Sequence, residues 1–127
     1  MKKTLVKIFA CFAVLCMTVV GTYAASTSAT CILYKGNTSA ETSSVGVSKK
    51  STITASHYSD SGNAVNVYHF CAWTGWPYTV EYSTAFYPKT GTLTHTEAQS
   101  RNSNFYLKLE NLGLGSSAHV KGTIKAL

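Results

Sequence analysis

The sequence predicts an all-β fold: one antiparallel β-sandwich, immunoglobulin-like or jelly-roll-like, of about seven or eight short strands, with a small β-barrel as second choice. Three observations carry that expectation. Apolar and polar residues alternate over short runs, and clusters of Gly, Pro, Asn, Asp and Ser separate the runs. No internal repeat, coiled coil or long helical period interrupts them.

The first residues read as an export signal rather than as part of that fold. Lys2, Lys3 and Lys7 form a positive region, residues 8–20 are almost unbroken apolar, and Thr22-Tyr23-Ala24 offers small residues at −3 and −1. Cleavage after Ala24 is therefore expected, leaving residues 1–24 as a signal peptide and the mature protein secreted and extracellular. A retained anchor is the weaker reading, because the run is shorter than the roughly 18 apolar residues a span needs. No Lys/Arg cluster follows it, so the mature chain is expected to carry no transmembrane anchor. Residues 25–29 are small and polar and read as a flexible tail, and residues 30–127 as one sandwich domain.

Charge and sulfur narrow the function classes. Cleavage removes three lysines, so the formal +6 of the precursor falls to +3. The remaining Lys and Arg are dispersed, and no nucleic-acid partner is expected. Cys11 and Cys16 leave with the signal; Cys31 and Cys71, an even pair in an exported chain, are expected to form a disulfide.

Each element has a local justification. Thr30-Cys31-Ile32-Leu33-Tyr34 is β-prone and stops at Lys35-Gly36-Asn37. Residues 38–44, rich in Ser and Thr, read as a polar edge strand or a loop, and Asn37-Thr38-Ser39 fits a glycosylation sequon. Residues 45–47 are too short to assign alone. Over residues 52–58 the alternation places Ile53, Ala55 and His57 on one face. Ser59-Asp60-Ser61-Gly62-Asn63 is turn chemistry, because Asp, Ser and Asn bond their own backbone. Residues 64–73 carry bulky apolar groups on both faces and read as a central strand.

Thr74-Gly75-Trp76-Pro77 breaks that strand, and residues 78–86 return as the second arm of a hairpin. In that arm Tyr78, Val80, Tyr82 and Thr84 are expected opposite Thr79, Glu81, Ser83 and Ala85. After the turn at 88–91, residues 92–96 read as a strand, yet Thr94 and Glu97 also fit a capping box for a short helix over 95–100. Residues 101–104 read as loop. Phe105, Leu107 and Leu109 alternate with Tyr106, Lys108 and Glu110 in a half-buried strand, and residues 118–126 make the last one.

No reactive constellation stands out, so no catalytic residue, metal ligand or cofactor is assigned. His57, His69, His95 and His119 lack the close spacing of a zinc site, although His57 and His69 are placed to meet across paired strands. A Ser-His-Asp/Glu triad would have to use Asp60 or Glu81, and the acidic residues are isolated singletons expected in solvent. Gly113-Leu114-Gly115-Ser116 lacks the Lys and the helix of a phosphate loop.

The aromatic group Trp73, Trp76, Tyr78 and Tyr82 is the exception, and it is assigned as the binding surface. Trp73 and Tyr82 are also candidates for core filling beside the disulfide, whereas Trp76, between Gly75 and Pro77, is expected at a loop tip. The leading expectation is a secreted, non-enzymatic binding protein whose partner is a cell-surface glycan or a protein, with oligomeric state left open. A cationic toxin or bacteriocin-like protein acting at membranes is the alternative, and a small secreted hydrolase the third.

Overall fold

Alternation builds strands throughout residues 27–127, the part of the chain that the computed structural model describes; the expected signal peptide, with Cys11 and Cys16, lies outside the described residues. The strands are β1 (Ser28–Leu33), β2 (Ser39–Glu41), β3 (Val45–His57), β4 (Val65–Trp73), β5 (Thr79–Phe86), β6 (Thr92–Asn111) and β7 (Val120–Ala126). They form one antiparallel sheet in the order β1-β7-β3-β6-β4-β5, with β2 attached to β6 beside that path and no closure into a barrel. The expected β4–β5 hairpin is formed, and β1 begins at Ser28, so part of the expected tail is strand.

β6 is the longest element, at 20 residues, and it corrects the expected short strands. The capping box at Thr94 and Glu97 starts no helix, because β3 pairs with that stretch: Thr54 faces Thr94, Thr52 faces Thr96 and Ser51 faces Glu97. Residues 101–104 are not loop either, since Ser103 and Asn104 pair with Trp73 and Ala72 of β4. β3 likewise runs from Val45, following β6 through two register shifts.

Because β6 pairs with β3 along its first half and with β2 and β4 along its second, it carries the chain from one layer into another. One layer holds β1, β7, β3 and the start of β6. The other holds β2, the end of β6, β4 and β5. Contacts between strands that are not sheet neighbours show the layers face to face: His57 of β3 packs on Phe86 of β5 at 4.7 Å, and Tyr82 of β5 on His95 of β6 at 3.6 Å. At Gly122 of β7 a methyl group would collide with Leu107 of β6, so glycine sets how closely the layers approach. Between them Leu33, Val45, Ile53, Val65, Val67, Phe105, Leu107, Leu109, Val120 and Ile124 are fully buried. The arrangement is consistent with a β-sandwich.

The expected Cys31–Cys71 disulfide is absent; both cysteines are free thiols. Cys31 pairs with Gly122 of β7 and feels the Glu41 carboxylate of β2, whereas Cys71 lies on β4 beside Phe105. An even cysteine count carries no such geometry. The expected meeting of His57 and His69 also fails, because β6 separates β3 from β4 in the sheet.

Candidate functional site

The chain leaves β4 through the turn Trp73-Thr74-Gly75-Trp76, closed by the Trp76 N–H donating to the Trp73 carbonyl at 2.8 Å. Gly75 takes φ 84° at the third position, which an L-residue with a side chain resists. Thr74 ties the turn to β6 through bonds from its N–H and hydroxyl to the Asn102 carbonyl, both at 3.3 Å. The turn thereby sets the two indoles almost perpendicular, at 83° with centroids 6.3 Å apart. Trp76 is 57% exposed. Trp73 is half-buried and fixed: its Nε1–H donates to Gln99 Oε1 at 3.0 Å, and the Arg101 guanidinium lies 4.5 Å from its ring centroid.

Gln99 belongs to a polar ladder on the inward-facing positions of β6. Its Nε2 donates to Glu97 Oε1 at 3.2 Å, and Glu97 Oε2 meets His95 Nε2 at 3.1 Å. His95 in turn stacks flat on Tyr82, with 5° between the rings. Glu97, expected in solvent, is therefore held inside this ladder with 19% of its side chain exposed.

β5 supplies the opposite rim through a β-bulge. His69 pairs with Tyr82 but Phe70 pairs with Val80, so Glu81 is the extra residue. The bulge breaks the simple alternation expected for this arm: Thr79 and Tyr82 both share a face with the inward residues of β4, while Val80 turns outward beside Phe70. Glu81 lines the groove, and its Oε1 accepts from the Thr79 hydroxyl at 2.6 Å. The result is a cavity of about 240 Å³ walled by Trp73, Trp76 and Pro77 and rimmed by Thr79, Glu81 and Gln99. The buried Cys71 thiol also lines it.

The Cys71 thiol, the Ser51 hydroxyl and the His69 imidazole lie buried in and behind this groove. Burial pushes the Cys71 thiol up to about 11, Ser103 opposing the shift and Glu81 and Glu97 adding to it, so the thiolate nucleophile is scarce at neutral pH. Ser51 and His69 do form a hydroxyl–imidazole pair, but both are fully buried. Burial, with His95 beside it, pulls His69 down to about 4, and its Nδ1 has no partner. Among the described residues no group of three or more His, Cys, Asp or Glu is placed to hold a metal ion.

Of the four aromatic residues singled out in the sequence, the structure brings together Trp73 and Trp76. Tyr82 lies behind the groove against His95, and Tyr78 leaves for the outer face, bonding Ser44 through its hydroxyl and meeting Tyr106 edge-on at 4.8 Å. Thr79, Glu81 and Gln99 were missed. The alternation over residues 93–99, which turns Leu93, His95, Glu97 and Gln99 to one face, was the signal for Gln99; nothing in the sequence marks the bulge at Glu81.

At the opposite end of the molecule His119 Nδ1 meets Asp60 Oδ1 at 2.7 Å and stacks on Tyr58 at 4.0 Å. His119, with Lys35 at 3.5 Å adding to it, holds the Asp60 carboxyl below its usual range. This contact clasps the β3–β4 turn to the β6–β7 loop. No protein-family profile matches the chain, and no curated protein is similar to it in sequence.

Proposed function

We propose that the protein is a secreted, non-enzymatic β-sandwich that binds a glycan in the indole-walled groove. The observation that carries this reading is the exposed Trp76 beside a fixed Trp73, with the Glu81 carboxylate and the Gln99 amide on the same cavity. A sugar ring has an apolar C–H face and a rim of hydroxyls. Indole faces suit the first, and a carboxylate acceptor with an amide donor suits the second. The cavity, at about 240 Å³, is below the roughly 300–1,000 Å³ of pockets for drug-sized ligands and suits a single sugar ring. A protonated Cys71 and an inaccessible Ser51–His69 pair support binding over turnover. The N-terminal signal features support export.

The test is retention on insoluble polysaccharides and cell-envelope glycans, comparing the native protein with Trp76→Ala. Because Trp76 is a surface residue, its truncation is expected to leave folding intact and to weaken retention about fivefold or more, since stacked aromatic contacts are worth on the order of 1 kcal/mol or more. A folded Trp76→Ala protein that binds as tightly as the native one contradicts the proposal.

A further inference from the structure

We infer that the sugar unit seated in this groove carries a protonated amino group, as in a glucosamine oligomer; the inference rests on the glycan reading and names its ligand class. Among the described residues the groove is lined by one acidic side chain, Glu81, set against two indoles. Among the described residues one of its carboxylate oxygens is engaged, by Thr79. Behind the Gln99 wall stands a second carboxylate, Glu97, whose two oxygens are taken by His95 and Gln99. The site thus sets a carboxylate acceptor against π faces, the two environments that favour an organic cation.

Trp73 already illustrates the preference, since the Arg101 guanidinium occupies a position 4.5 Å from its ring centroid. Trp76, at right angles to it and 57% exposed, offers a second indole that a ligand can reach. An ammonium on a pyranose ring satisfies all three parts of the site at once. The sugar's C–H face lies on Trp76, the charge meets Glu81, and a neighbouring hydroxyl accepts from the Gln99 amide. A neutral sugar meets Glu81 only by donating a hydroxyl, without the charge attraction.

Calorimetric titration of the protein at pH 6 with glucosamine trimer, N-acetylglucosamine trimer, cellotriose and choline chloride tests this. The glucosamine trimer is expected to bind at least about tenfold more tightly than either neutral trimer, which is about 1.4 kcal/mol. That advantage is expected to shrink between 20 and 500 mM NaCl and to disappear in Glu81→Gln, which keeps an acceptor for Thr79. Equal affinity for all three trimers, unchanged in Glu81→Gln and by salt, overturns the charge inference and leaves the glycan reading standing. Binding of no trimer overturns both, and so does choline binding in place of the sugars, which assigns the groove to an alkylammonium head group. The salt series needs no variant, so the inference stays open to refutation even where a substituted protein does not fold.

Discussion

The two halves of β6 turn the same alternating face inward and use it in opposite ways. In the second half Phe105, Leu107 and Leu109 are fully buried against the other layer. In the first half the equivalent positions are His95, Glu97 and Gln99, bonded to one another and to Trp73 at the margin of a groove. Period-two alternation sets which way a side chain points and says nothing of what it meets there. Apolar residues close the layers together where they face β7 across Gly122; polar ones line the opening where the Trp73–Trp76 turn meets β6. Stability and, under the proposed function, recognition are thus divided along one strand.

Substitutions test this division, and the largest effect belongs to the apolar half. Leu107→Ala removes a fully buried side chain beside Gly122 and is expected to cost about 2–5 kcal/mol in urea unfolding. A cost below about 1 kcal/mol would mean the layers are not packed as described. Next comes the buried imidazole at the boundary. His69 is held near 4 in the folded state against 6.5 when free. Between those values the unfolded chain takes up a proton that the native state refuses, so stability falls as pH drops from about 6.5 to about 4 and this group adds no loss below that.

The loss is on the order of 3 kcal/mol, and the His69→Gln protein should show a flatter profile over the same window. An identical slope in both proteins would place the titration elsewhere. Gly122→Ala should cost less, about 1–3 kcal/mol, because the new methyl must displace the end of Leu107. No change in melting temperature for that variant would show a looser interface. The smallest stability effect, within about 0.5 kcal/mol, is expected for Trp76→Ala, whose loss should register in binding instead.

The fold was legible wherever alternation and turn residues agreed. The β4–β5 hairpin, the Gly75 turn and the inward set Phe105, Leu107 and Leu109 all follow from local patterning. β6 misled because polar residues inside a strand read as loop: Ser103 and Asn104 look solvated in sequence, yet both are fully buried where β3 and β4 pair with them. The site was half legible. Trp76 between Gly75 and Pro77 announces an exposed ring, but the Glu81 bulge depends on how β5 registers with β4, which no single strand encodes. The structure holds Cys31 and Cys71 as free thiols, and where the two fall depends on the order of the whole sheet.

Titration of ¹⁵N-labelled protein with short oligosaccharides of glucose, N-acetylglucosamine and glucosamine, followed by NMR, tests the central claim most directly. The indole N–H signals of Trp73 and Trp76 and the side-chain amide of Gln99 should move with at least one of these sugars, while the backbone amides of Phe105, Leu107 and Leu109 stay in place. Shifts centred on Tyr58 and His119 at the far end, or no shifts with any of the three, would contradict it.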